Sequence, residues 1–352
     1  VVVLTASKSC LPNANNNREE ISMSSLIDEV LKEAGFSDAA IADVKAGKLH
    51  YGGSLDAASN KELSVKLAFH VEGKIHNIKH VFLHLPAKKK YDPTVGDLGM
   101  IATDGGDGSL EDFAGIKLSP NEVTMDKLYS NAAPGSDLNL SKDEIETFKK
   151  LGKKATHEEI ENCLRQVLLD RFRAYKKNGL AGIKPYARSK KEFSAGEELK
   201  NQILHGPILK KRAPMFHKYA LDYPNNKPEG VEESFFWVNS IIDDKPTIAL
   251  IHRVGMPHGN EGYVYMERHF YLSRSHNCLQ GIGAAMIHGD DETVVLYATR
   301  TSTDQVSGFG STAKRTIGNK VMGGRMADNF ERARKVLAAS KDLSLRNLSL
   351  DD

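Results

Sequence analysis

Apolar positions along this chain switch repeatedly between helical and strand spacing. Leu26, Ile27, Val30 and Leu31 recur with a helical period that stops at Gly35, and a second short helix is expected over 37–46, ending at Gly47. Leu49 and Tyr51, then the alternation Leu63, Val65, Leu67, Phe69, read as two strands joined across Ala58-Ser59-Asn60. Ile75, Ile78, Val81, Phe82 and Leu85 return to helical spacing ahead of Pro86, and 88–115 reads as loop around Asp104-Gly105-Gly106-Asp107-Gly108.

The middle, 119–222, is predicted helical. Ser141 and Glu144 have capping-box spacing. Residues 156–177 place Ile160, Cys163, Leu164, Val167, Leu168, Phe172 and Tyr175 on one face, and further turns are expected over 196–204 and 208–221, parted by Gly206-Pro207. After Pro228 the period becomes two. Strands are predicted over 232–242, 246–254, 262–273, 278–288 and 292–303, with turns at Asp243-Asp244, Gly259-Asn260 and Gly289-Asp290. A long helix over 308–339 carries the apolar line Phe309, Ala313, Ile317, Val321, Met322, Met326, Phe330, Ala333 and Leu337. Its other side carries Lys314, Arg315, Lys320, Arg325, Arg332 and Lys335.

These elements define an α+β layout: a curved antiparallel sheet packed on a long C-terminal helix, with a large helical insertion in the middle. The expected divisions are a disordered leader over 1–22, an α+β segment over 23–118, a helical segment over 119–228, the meander and long helix over 229–340, and a tail over 341–352. Over 48–85 and 231–339 the element order resembles the START-like (SRPBCC) superfamily. That resemblance implies a helical-grip fold, in which the sheet wraps the last helix around a cavity. It rests on element order, so no ligand residues of that superfamily are carried over.

Composition narrows the function. The 352 residues are 40% hydrophobic and 27% charged, with 48 Lys plus Arg against 46 Asp plus Glu, which suits a globular protein and gives no basic excess for nucleic acid. No stretch approaches the roughly 18–20 apolar residues of a membrane-spanning helix. Cys10, Cys163 and Cys278 form no Cys-x-x-Cys pair, which excludes a disulfide framework and favours a reducing, cytoplasmic compartment. The start Val1-Val2-Val3 fits a processed targeting segment, and Met23 an alternative start; Asn139-Leu140-Ser141 and Asn347-Leu348-Ser349 match the glycosylation triplet.

Candidate chemistry concentrates on the later strands. Alternation over Tyr263–Tyr271 places Tyr265, Glu267, His269 and Tyr271 on one face and Val264, Met266, Arg268, Phe270 and Leu272 on the other. His252 and Arg253 point to opposite faces of the neighbouring strand, and Arg300 lies on the last. If one face lines a cavity, Trp237, His252, Arg253, Tyr265, Arg268 and Tyr271 are the candidate ligand-binding residues. Glu267, His269 and Arg300 are the candidate catalytic ones. The plainer reading pairs Glu267 and His269 with Arg253 or Arg300 on a solvated sheet face.

Other motifs fall short. His276 and Cys278 match no thiol-enzyme signature; His76, His80 and His84 lack the Glu of a zinc helix; the loop from Asp104 has Gly115 where a calcium loop needs Glu. Gly308-Phe309-Gly310-Ser311-Thr312-Ala313 fits a dinucleotide fingerprint locally but has no following parallel strand. No metal or cofactor is implied. The leading expectation is a soluble protein binding an apolar or amphipathic small molecule between sheet and C-terminal helix. The alternatives are a cofactor-free acid/base enzyme in the same cavity and a peripheral protein whose basic side of the last helix lies on an anionic membrane or an acidic partner.

Overall fold

A large antiparallel sheet organises the chain, and its strands come from distant parts of the sequence. The computed structural model describes residues 23–52, 55–83, 87–103, 106–118, 122–259, 262–289, 291–308 and 310–339. The leader over 1–22, the tail over 341–352, Cys10, His84, Leu85, Pro86, Asp104-Gly105, Asn260, Asp290, Phe309 and the triplet at Asn347 lie outside the described residues.

Helices α1 (Met23–Glu33) and α2 (Asp38–Lys45) precede β1 (His50–Tyr51) and β2 (Glu62–Glu72); α3 (Ile75–Leu83) and α4 (Ala87–Tyr91) lead to β3 (Val95–Met100). The middle holds α5 (Glu122–Ser130), α6 (Lys142–Leu151) and α7 (His157–Asn178). A small hairpin follows, β4 (Tyr186–Ala187) and β5 (Glu192–Phe193), then α8 (Ala195–Leu204), α9 (Pro207–Arg212) and α10 (Pro214–Asp222). The meander is β6 (Glu232–Ile242), β7 (Lys245–His258), β8 (Gly262–Leu272), β9 (Cys278–Gly289) and β10 (Glu292–Ser302), and α11 (Ser311–Ala339) closes the fold.

Strand order is β1-β2-β10-β9-β8-β7-β6-β3. The meander pairs neighbour with neighbour. Its last strand then takes β2 as a partner, Ser302 opposite Glu62 and Glu292 opposite Glu72, while β3 pairs with β6 at the far edge, Met100 opposite Phe236. The fold is therefore α+β, a curved antiparallel sheet on a long C-terminal helix with a helical insertion between β3 and β6.

Local signals explain most boundaries. Thr156 and Glu159 form a capping box at the start of α7, and Gly179 ends it. Ser141 N–H donates to Glu144 Oε2 at 2.8 Å in the box of α6. The single helix expected over 208–221 is two, because Pro214, which has no N–H to donate, opens a new helix after Ala213. Strand β3 falls in the expected loop. Its Gly99 is required by Trp237: a Cβ there would stand 2.6 Å from the indole Nε1, so strand-forming residues are excluded from that position.

Both sheet faces are covered. The inner face packs Leu67, Phe69, Val71, Tyr265, Val295 and Tyr297 against Ile78 and Val81 of α3 and Leu337 of α11. On the outer face Phe235, Trp237, Leu250, Val254, Met266 and Phe270 meet the helical middle through residues such as Phe172, Tyr175 and Leu199. Farther along that face, α1 and α2 cover Ala68, Val294 and Leu296. The solvated face expected of an antiparallel sheet is absent among the described strands of the meander because the insertion occupies it. Each fully buried large apolar side chain contributes about 1.5–3 kcal/mol, so the insertion is part of the sheet's stability.

Helix α11 lies close on β2 in its first half, where Asn319 Oδ1 accepts from Ser64 N–H at 2.9 Å and a Cβ at Gly318 would stand 2.7 Å from Leu63 Cδ2, and its later turns supply the apolar inner side. Met322, Met326, Phe330, Ala333 and Leu337 face inward, whereas Ile317 and Val321, expected on the same apolar line, are 66% and 49% exposed. No helix among the described residues is long and apolar enough to cross a membrane.

Candidate functional site

Strand β8 carries the most ionisable stretch of the sheet, and a bulge changes its alternation. His269 pairs with Ile251 and Tyr271 with Leu250, so Phe270 is an extra residue between them. Tyr265, Glu267 and His269 share the inner face as expected. Beyond the bulge the parity inverts: Tyr271 joins Phe270 in the outer core, and Leu272 joins Ala249 and Ile251 in an inner cluster.

Between the inner face, α3, α4 and α11 lies a cavity of about 300 Å³. Phe69, Val71, Ile78, Phe82, Met326 and Phe330 supply apolar walls. The floor stays low because β9 presents glycines beneath its neighbours' tyrosines. A Cβ at Gly281 would stand 1.7 Å from the Tyr297 hydroxyl, and one at Gly283 would stand 2.3 Å from Tyr265 Cζ. The two rings thus lie over β9, 6.2 Å apart between centroids, instead of standing up into the cavity.

At one end of the cavity four ionisable side chains converge. Arg253 Nε donates to Glu267 Oε2 at 2.6 Å, Lys88 Nζ donates to Glu267 Oε1 at 3.3 Å, and His269 Nε2 lies 2.7 Å from that same oxygen. Arg253 also donates to the Phe82 carbonyl, and the Phe82 and Phe236 rings flank its guanidinium at 4.9 and 5.0 Å. Burial alone would raise Glu267, but the charges of Arg253 and Lys88 and the His269 hydrogen bond hold it well below the usual carboxylate range. Burial lowers His269 below the ordinary histidine value against the pull of Glu267. His269 is therefore neutral at pH 7. The carboxylate selects its Nε2–H tautomer, leaving buried Nδ1 as an acceptor with no hydrogen-bond partner among the described residues. Lys88 and Tyr91, which line this end from α4, fall in the stretch that the sequence presents as loop; the run Lys88-Lys89-Lys90-Tyr91 is the only local hint of them.

The remaining predicted residues lie on the other side of the sheet. Trp237 Nε1 donates to the Asp112 carbonyl at 2.8 Å. Arg268 donates to Gln280 Oε1 at 2.9 Å, to the Tyr175 hydroxyl at 3.0 Å and to the Ala220 carbonyl at 2.7 Å. His252 bridges the Tyr175 hydroxyl at 2.9 Å and Glu233 at 3.1 Å. These groups fasten the helical insertion to the sheet. Tyr271 lies 4.3 Å from the Arg171 guanidinium, which is paired with Glu144 at 2.5 Å. Arg300 pairs with Glu62 and donates to the Asp56 carbonyl at 2.7 Å, also on the outer face. The structure thus brings Arg253, Tyr265, Glu267 and His269 together, and separates them from Trp237, His252, Arg268, Tyr271 and Arg300.

Burial pushes the Cys163 thiol up to about 11 and Cys278 well above its ordinary value, so neither is a thiolate at neutral pH. Of the expected basic side of α11, Arg332 turns inward to the Tyr91 carbonyl at 2.8 Å and Arg325 pairs with Asp243 at 2.9 Å.

No family model and no curated protein matches the chain. Among solved structures, one titled "Crystal structure of Ara h 8.0201" is similar at a TM-score of 0.15 and 10% identity, over 38% of this chain and 87% of that chain. A likeness that slight carries no functional inference.

Proposed function

We propose that the chain binds an apolar or amphipathic small molecule in the inner cavity, between the sheet and α11. The observation that carries this reading is the pairing of apolar walls with one polar end, the composition of small-molecule sites in general. The ligand's apolar body would lie between Phe69, Met326 and Phe330. Its polar group would meet the end where Lys88 and Arg253 face Glu267, with Asp92 also in the lining, beside the free acceptor of His269. A hydroxyl head, which donates to one such group and accepts from another, fits that set. Over 48–85 and 231–339 the elements are β1, β2 and α3 before the meander and α11 after it, the order on which the START-like resemblance rests.

Native mass spectrometry beside denaturing extraction tests the reading on protein purified gently, and titration with anilinonaphthalene sulfonate, an amphipathic anion, tests it on stripped protein. One equivalent of the dye should bind. Ala333→Trp, which fills the cavity from α11, should abolish that binding with an unchanged circular dichroism spectrum. Equal dye binding by wild type and variant would sink the proposal.

His269 supports a second reading, a cofactor-free enzyme. A neutral imidazole with an unpartnered nitrogen, oriented by a carboxylate, would act as a base once a bound molecule reaches Nδ1, which is buried in the lining. Glu267, held ionised by Arg253, would orient the base and not act as an acid. Incubating the retained ligand with the protein in D₂O should then place carbon-bound deuterium in it. His269→Ala should stop the exchange while leaving the circular dichroism spectrum unchanged, and exchange at the wild-type rate in that variant would exclude His269 as the base.

A further inference from the structure

A second cavity, of about 200 Å³, lies on the opposite face of the sheet, bounded by α1, α8, α9 and strands β8 to β10. Its walls are apolar, with Leu26 and Val30 from α1, Ile208 and Leu209 from α9, and Ile282 and Leu296 from the sheet. An apolar cavity of about 150 Å³ accepts a benzene ring, so this one has room for a ring with a substituent.

Two polar side chains in this lining have no partner among the described residues, the Tyr263 hydroxyl and Gln202. Gln202 of α8 is 1% exposed, and both its carboxamide oxygen and its carboxamide nitrogen are buried with no hydrogen bond among the described residues. Buried amides are almost always paired, because an unpaired one forfeits its hydration with nothing in return. The charged groups of the lining are engaged elsewhere. Arg300 is held by Glu62 and by the Asp56 and His205 carbonyls, Arg212 by Glu29 and Glu33, and Lys66 by the Ala34 carbonyl. What the cavity offers a guest is an apolar chamber lined by two unpartnered groups, the Tyr263 hydroxyl and the Gln202 carboxamide, of which only the carboxamide sets a donor beside an acceptor along one edge.

We infer that this outer cavity is a second small-molecule site, selective for a compact neutral ligand that carries an amide-type edge, its N–H donating to the Gln202 oxygen and its carbonyl accepting from the Gln202 nitrogen. The site is separate from the inner cavity and does not depend on what that cavity binds.

Benzamide is the probe, with toluene and benzoate as controls, added to full-length protein carrying labelled isoleucine methyls. Benzamide should shift Ile208 and Ile282, which line the outer cavity, and leave Ile78 and Ile251, which line the inner one, unmoved. Gln202→Leu should weaken benzamide by about tenfold or more while leaving toluene unaffected, and it should not lower the melting temperature of the ligand-free chain, since it removes an unpaired buried amide. The inference is overturned if benzamide fails to bind, if it shifts only the inner isoleucines, or if it binds Gln202→Leu as well as wild type. It is equally overturned if benzoate binds more tightly than benzamide, or if Gln202→Leu melts earlier, which would mean that the carboxamide is already paired within the fold.

Discussion

His252 shows how a side chain chosen for its chemistry can serve architecture. Its ring stacks on Phe235 with centroids 4.2 Å apart and planes 9° apart. Burial drives its pKa down to about 4 although Glu233 pulls upward. Glu233 in turn sits at about 2, burial being outweighed by the His252 hydrogen bond and Lys227. An unfolded histidine takes its proton near 6.5, so between pH 6.5 and 4 the unfolded chain binds more protons than the folded one. Stability from this group is therefore complete above about pH 6.5 and is lost as pH falls towards 4. From pH 7 to 5 the loss should be about 2 kcal/mol. His276, brought by burial to about 3, acts with the same sign. Urea denaturation at the two pH values should show the drop, and His252→Gln, which keeps a polar partner for Tyr175 and Glu233, should make it smaller. An undiminished drop in that variant would clear His252 of the effect.

Among the elements, β9 decides whether the inner cavity exists. Gly281→Ala should lift the Tyr297 ring off the strand towards α11, cost about 1–3 kcal/mol as overpacking, and weaken dye binding in the inner cavity. Chemical denaturation and dye titration measure the two effects together; a variant with both unchanged would show that Tyr297 has room to move aside. The same strands mark what the sequence discloses. Alternation along β8 suffices to put Glu267 and His269 together, because residues two apart share a face. It misplaces Tyr271, since the bulge at Phe270 carries no glycine or proline to announce it. Arg300 is misplaced for another reason: which face of β10 turns towards α11 depends on its register with β2 and β9, and periodicity contains no register. Strand β3 is invisible because Gly96 and Gly99 answer to neighbours such as Trp237 and not to strand propensity. Gln202, apolar-faced in position and polar in type, reads as an ordinary helical residue until its missing partners are seen.

For the whole molecule, the insertion is the feature that periodicity finds and whose purpose it leaves blank. Residues 119–222 read as helices, but only the assembled structure shows the helices of 122–222 laid over the sheet's outer face. Replacing residues 103–231 by a hairpin turn between β3 and β6 keeps the strand order, yet it would bare Phe235, Trp237, Leu250, Val254, Met266 and Phe270 together. A contiguous apolar patch of that kind promotes association. The shortened chain should therefore form soluble aggregates by size-exclusion chromatography with light scattering, and a monodisperse monomer would show that the outer face tolerates water.

The pairing of β2 with β10 has a consequence for biosynthesis. Glu62 meets Ser302 and Glu72 meets Glu292, so the long N-terminal strand leaves the ribosome far ahead of the strand that completes its ladder. At roughly 5–20 residues per second, that interval is on the order of tens of seconds. Throughout it, the nascent chain presents an apolar strand with an unfilled backbone edge, the kind of surface that recruits other strands. Neither cavity wall closes before then, since β10 contributes to both and α11 follows it. The polypeptide is thus committed to late, nearly simultaneous closure of sheet and cavities, and a pause in translation within the meander would lengthen the period in which a holding chaperone is needed.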